Sequence, residues 1–158
     1  MSEVVVNGPQ FIAGLEDYEE RFHKMFRKRI QMLMTEGMRR LIAKTPVQTG
    51  AAVASYVASV GSPTARAHGG FKRQPGTNKM SLGSEQNRGA AAGVANATLS
   101  SVNFSDPFAT YYITNADPNI GGLETGSLPR RPFRPRSPAG MFGVTVQELM
   151  ALLNSGSI

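Results

Sequence analysis

One stretch dominates what this chain can become. From Phe11 to Ala43 the apolar residues Phe11, Leu15, Tyr18, Phe22, Phe26, Ile30, Leu33 and Leu41 return at helical spacing, and Met25, Met34 and Met38 widen the stripe. The spacing predicts a long amphipathic helix. Glu16, Asp17, Glu19 and Glu20 stand in its first turns and Arg39, Arg40 and Lys44 in its last, the charge order that the helix dipole favours. Thr45-Pro46 ends it, because the residue before a proline is driven out of the α region. About thirty residues at 1.5 Å each make a rod of roughly 45 Å, whereas a compact domain of this length has a radius of gyration of about 15 Å. Such a rod either bends, with Gly37 as the place, or overhangs the body and packs on a neighbouring subunit.

The remaining order is lighter. Val53 to Val60 reads as a strand with Ala54, Tyr56, Ala58 and Val60 on one face. Gly61 to Ala97 loses periodicity, holds seven glycines, and carries Arg66, Lys72, Arg73, Lys79 and Arg88 against one acid, Glu85. This predicts an extended or flexible basic loop with room for a hairpin. Order returns at Thr98 to Phe104 and at Ala109 to Thr114, where Ala109, Tyr111 and Ile113 alternate with Thr110, Tyr112 and Thr114 as in a half-buried strand. A turn follows over Asn115 to Asn119. Residues 129–138 contain four prolines and four arginines, an extended arm that cannot be a central strand. Ser137-Pro138 can cap and start a final helix whose apolar side includes Val146, Leu149, Met150 and Leu153. Together these predict one α+β domain over 1–158. A long N-terminal helix packs on a small, mainly antiparallel sheet, with a long Gly-rich basic loop at 61–97, a Pro/Arg-rich arm at 129–138 and a C-terminal helix.

Composition narrows the chemistry. Among 158 residues there is no cysteine or tryptophan, and apolar residues make up 41%, so the core should rest on Leu, Ile, Met, Val and Phe. Disulfides, thiolate metal sites and cysteine nucleophiles are excluded. The two histidines, His23 and His68, lie far apart and neither has a second histidine at i+4, so no zinc helix can be written. Gly121 and Gly126 stand at the P-loop separation, but Ser127 occupies the place of the phosphate-binding lysine. No Gly-x-Ser-x-Gly occurs. A metal-dependent hydrolase would have to work through Asp106, Asp117 or Glu124, residue types more often found as turn caps and ion-pair partners. The expectation is therefore not an enzyme, with no cofactor, no metal and no catalytic residue. No apolar run approaches the roughly 18 residues of a membrane helix, and the acidic start Met1-Ser2-Glu3 does not read as a secretory signal. A chain made in the cytoplasm, without a membrane partner, is expected.

Seventeen basic against eleven acidic side chains leave a net charge of +6. Arg21, Lys24, Arg27, Lys28 and Arg29 cluster on the helix, which with the basic loop suits phosphate contacts. A small nucleic-acid-binding accessory protein is therefore the rival reading.

Four segments are more specific. Thr45-Pro46-Val47-Gln48-Thr49-Gly50 closes the long helix, Tyr111-Tyr112-Ile113-Thr114-Asn115 is an aromatic strand ending in Asn, Leu123-Glu124-Thr125-Gly126-Ser127 follows, and Pro132-Phe133-Arg134-Pro135 precedes the final helix. In this order the segments resemble the neck, tail-completion (head–tail joining) and minor tail proteins of tailed bacteriophages. Gln48 stands where that family usually has an acid, Asp117 to Gly122 replaces its small aromatic step, and the loop 61–97 has no counterpart in it. The resemblance implies a virion structural protein that forms a ring of six or twelve copies at the head–tail junction. It would connect portal or connector to tail, as a neck, tail-completion or tail-terminator component, around DNA that passes without sequence-specific binding. It further implies subunit or partner contacts through Thr45, Pro46, Thr49, Gly50, Tyr111, Tyr112, Asn115, Glu124, Gly126, Arg130, Arg131, Pro132, Phe133 and Arg134. Glu124 fits either an intersubunit salt bridge or an internal cap. Arg66, Lys72, Arg73, Lys79 and Arg88 are the candidate channel-facing residues.

Overall fold

Helix α1 runs unbroken from Gly8 to Lys44 in the computed structural model, which describes residues 7–47, 49–69, 87–128 and 140–157. Its 37 residues make a rod of about 55 Å. Pro9 sits in the first turn, where a missing N–H leaves no bond unmade. At the other end the Thr45 N–H reaches the Leu41 carbonyl while Thr45 itself is extended, as the residue before Pro46 must be. Because the helix begins at Gly8, its first turn holds no acid. Glu16 to Glu20 lie two turns or more further in, beyond the reach of the terminal dipole, and only Lys44 in the last turn meets that expectation.

The helix does not break at Gly37. That glycine is buried where Ile113 and Leu149 close on the backbone, and a Cβ there would lie 3.3 Å from a methyl of each. Its smallness admits a neighbouring strand and helix. The alternative, overhang, is what occurs: no residue of α1 before Met34 is fully buried, and Phe11 through Arg21 are all exposed.

Past Thr45 the chain reverses through Gly50, whose φ of 84° belongs to the left-handed region that glycine enters freely. It makes one helical turn, α2 (Ala51–Ala54), and then strand β1 (Tyr56–Val60). The strand expected over Val53 to Val60 is thus shorter, because residues 51–54 close a turn on the Gly50 carbonyl. β1 pairs antiparallel with β2 (Tyr111–Asn115), Tyr56 opposite Asn115 and Val60 opposite Tyr111. Tyr56, Val57 and Ala58 are all buried and Val60 is exposed, so the alternating face expected of Ala54 to Val60 does not hold. A two-stranded sheet is marginal alone; here helices support it.

One of those helices was not expected. Residues Arg88–Ser100 form α3, so the last ten residues of the segment read as a loop, and the first three of the stretch Thr98 to Phe104, are helical. Gly89 and Gly93 weaken the helix signal, and the buried positions are the alanines Ala91 and Ala95, both fully covered. Small side chains let α3 lie close to α2 and β1, and the Thr98 hydroxyl accepts the Ala58 N–H at 2.9 Å.

A short helix α4 (Ile120–Glu124) precedes the final helix α5 (Met141–Asn154), which begins at Gly140; the expected cap at Ser137-Pro138 lies outside the described residues. α5 turns Met141 and Thr145 inward and leaves Val146, Met150 and Leu153 exposed, so most of its expected apolar side faces outward. The core joins Met34, Met38, Leu41 and Ile42 of α1 to Val47, Val53, Ala54, Tyr56, Ala58, Ala91 and Ala95. Among the described residues it contains no fully buried phenylalanine. Phe11, Phe22 and Phe108 are exposed.

Candidate functional site

Three of the family-like segments, far apart in sequence, converge on Tyr56. Its ring is fully covered and its hydroxyl lies 2.8 Å from Thr45 Oγ1. The single Thr45 hydroxyl proton goes to the Leu41 carbonyl at 2.7 Å, so the Tyr56 phenol is the donor between the two. Burial pushes this phenol up to about 12, opposed by its hydrogen bonds with Thr45 and Asn115, while the Glu124 charge acts in the same sense as burial. Asn115, at the end of β2, donates to the Ala52 carbonyl at 2.7 Å and accepts the Asp117 N–H at 2.9 Å. Asp117 in turn accepts the Asn119 N–H, which sets the turn into α4.

Glu124 joins this group through Phe142, whose ring centroid lies 5.9 Å from that of Tyr56. Its carboxylate accepts the Phe142 N–H at 2.9 Å and the Gly143 N–H at 3.3 Å, two of the donors that the first turn of α5 leaves unpaired. Of the two readings of Glu124, the internal cap is therefore the one the geometry provides. Thr45 and Gly50 are buried within the chain. Asn115 and Glu124 are half-buried and committed to internal bonds.

Arg88 is also corrected. Its guanidinium donates to the Ile42 carbonyl at 2.7 Å and the Thr45 carbonyl at 3.3 Å, carbonyls that the end of α1 leaves without helical partners. A cation there also complements the helix dipole. It ties α3 to α1 from within a helix, where a loop residue was expected.

The other candidates scatter. Pro46, Thr49, Tyr111, Tyr112 and Gly126 are half-buried and Arg66 is exposed. Tyr111 stacks on Phe104 with centroids 5.2 Å apart and donates to the Asp106 carbonyl. Lys72, Arg73, Lys79, Arg130, Arg131, Pro132, Phe133 and Arg134 lie outside the described residues.

Two surface features stand out, and only the second, the overhanging outer helix, was anticipated from sequence. A chain of ion pairs fastens α5 to α1: Glu36 takes both Arg39 and Arg40 at 2.7 Å, Arg40 continues to Glu148 at 2.6 Å, and Lys44 meets the same Glu148 oxygen at 2.6 Å. The Arg39 guanidinium, helped by Arg40 and opposed by burial, holds the Glu36 carboxyl down at about 2. Lys44 and then Arg40 hold Glu148 below the usual carboxylate range. The i, i+3 and i, i+4 spacing of Glu36 with Arg39 and Arg40 was a legible signal; Glu148 was not. Beside this chain lies a shallow groove of about 490 Å³ lined by Gln31, Met32, Thr35, Glu36 and Leu152.

The second feature is the outer part of α1, where Phe11, Ile12, Leu15, Tyr18, Phe22 and Met25 are exposed, Tyr18 by 69%. Among the described residues, one loop props this stretch. Phe108 meets His23 edge-on at 5.4 Å and lies against Phe26, while Arg27 donates to the Ser105 carbonyl.

Among the described residues no group of three His, Cys, Asp or Glu side chains is placed to hold a metal ion, and no helix is long and apolar enough to cross a membrane. No protein-family model, curated protein or solved structure matches the chain.

Proposed function

We propose that the chain is a noncatalytic structural subunit of a tailed-phage virion, acting at the head–tail junction as a neck, tail-completion or tail-terminator component. The observation that carries this reading is the convergence on Tyr56. The T-P-V-x-T-G turn supplies Thr45, the Y-Y-I-T-N strand supplies Asn115 and the L-E-T-G-S segment supplies Glu124. Segments that lock one fold together are where a family resemblance carries information about architecture. The overhanging helix adds support, since a subunit completed by its neighbours leaves apolar surface outside its own core.

In this reading six or twelve copies close into a ring by repeated heterologous contacts, stacked between connector and tail, with DNA passing through the centre. Light scattering with negative-stain imaging of one fraction tests it. Six chains of 16.9 kDa give about 101 kDa, and an open-centred particle of that mass, alone or once docked on tails or portals, is the expected result. A monomer that never joins such a ring and binds duplex DNA with a steep loss of affinity in salt would replace it with the nucleic-acid reading.

A further inference from the structure

Strand β2 has an open edge. In an antiparallel pair, facing residues alternate between those that exchange both backbone hydrogen bonds and those whose N–H and C=O groups point away from each other. The Gly61 N–H bonds to the Thr110 carbonyl, so in the same register Ser59 bonds with Tyr112 and Val57 with Thr114. The backbone groups of Ala58 therefore point out of the β1 side of the sheet, and those of Tyr111 and Ile113 out of the β2 side. On the β1 side α3 takes the place of a strand, since the Thr98 hydroxyl accepts the Ala58 N–H. On the β2 side the outward groups of Tyr111 and Ile113 meet no hydrogen-bond partner among the described residues. Natural edges are blunted by charge, proline or a bulge, and Tyr111-Tyr112-Ile113-Thr114-Asn115 pairs without a bulge and contains neither charge nor proline.

An apolar flank adjoins this edge. The Ile113 side chain and Leu149 of α5 both close on Gly37. Val146, Met150 and Leu153 are exposed, on the side of Leu149 that is turned away from the buried Met141 and Thr145. A strand laid along β2 thus finds an unpaired ladder beside it and apolar side chains of α5 toward one of its faces.

We propose that the open edge of β2 accepts Ser2–Val6 of another copy of this chain as a third strand. Val4-Val5-Val6 is a run of β-branched residues suited to an extended strand, and it lies outside the described residues, joined through Asn7 to the tip of α1. Reach decides whose edge it meets. Gly8 and Gly37 stand about 44 Å apart along α1, and Ile113 packs at Gly37. Val4 is separated from Gly8 by at most about 14 Å of extended chain, so no copy brings this segment to its own β2. The overhanging rod instead carries it to a neighbour. There Val4 and Val6 face the α5 flank, Val5 lies beside Tyr112 and Thr114, and main-chain bonds supply the attachment. The contact joins unlike surfaces, tip to edge, so copies pass it on around a closed ring or along an open chain. It does not rest on the head–tail reading.

Amide exchange of the full chain tests this. Wherever the chain associates, the Tyr111 and Ile113 amides should exchange at least tenfold more slowly than in the variant Val4→Pro with Val5→Pro, which lacks donors on both sides of the segment. The Ser59 and Tyr112 amides, bonded within the sheet, should be the same in both, which shows that the fold is intact. The chain has no cysteine, so a nitroxide on Glu3→Cys sits at one place. Carried by an unenriched copy, it should broaden the Tyr111 and Ile113 amides of an isotope-enriched, unsubstituted copy. Fast exchange of Tyr111 and Ile113 at every concentration, or no broadening between copies, overturns the inference. Protection that survives both prolines overturns it in favour of the second copy's own β2 at the edge. An open-centred ring that still forms with both prolines overturns this contact and leaves the head–tail reading standing.

Discussion

The inner and outer parts of α1 carry similar apolar side chains and meet opposite fates. Met34, Met38, Leu41 and Ile42 are buried, while Phe11, Leu15, Tyr18 and Met25 face solvent. Helix propensity does not separate them. What does is the company: α5, α3 and β2 gather around the inner part, and among the described residues a single loop touches the outer. Amphipathic spacing therefore identifies a face that seeks cover and leaves open whether the same chain provides it.

The contrast is sharpest in truncation. Met38→Ala should cost about 3 kcal/mol in urea unfolding, through lost burial and a residual cavity. Tyr18→Ala, measured where the chain is monomeric, should stay within about 0.5 kcal/mol. Equal losses at the two positions would mean that the outer helix is packed after all.

The next largest effect lies where the inner part is pinned. Arg88→Ala removes a charged donor from the Ile42 and Thr45 carbonyls and should cost about 2 kcal/mol. Amide exchange should accelerate in the last turn of α1 and not near Phe11. Glu124→Gln, which keeps the shape and removes the charge from the start of α5, should cost about 1 kcal/mol, read as a lower melting temperature with earlier loss of α5 protection.

The smallest effect is electrostatic. The Glu36 carboxyl is held at about 2, below its ordinary 4.5. Its contribution is therefore complete above pH 4.5 and is lost as pH falls through about 2. For a surface pair this amounts to about 1 kcal/mol or less. Glu36→Gln should flatten the stability profile between pH 4.5 and 2, and added salt should shrink the difference.

Much of the architecture was legible in local pattern. The long helix, its stop at Thr45-Pro46 and the strand through Tyr111 follow from spacing and from proline geometry. α3 was not legible, because Ala91 and Ala95 carry burial in side chains too small to register as a hydrophobic stripe. Nor was the orientation of α5, where the pattern drew attention to Val146, Met150 and Leu153 while the core took Met141 and Thr145. Among the candidate site residues, the sequence located Thr45, Asn115 and Glu124 as a set without showing that they serve the interior.

By itself the amino-acid order determined which segments could be helix or strand, because turn chemistry, charge and hydrophobic spacing act within a few residues. Only the tertiary structure decided that Thr45, Asn115 and Glu124 gather around Tyr56, that Arg88 caps a helix ending more than forty residues earlier, and that Phe11 to Met25 remain uncovered. Those outcomes depend on contacts between distant segments, and burial belongs to the assembled fold, not to any residue alone.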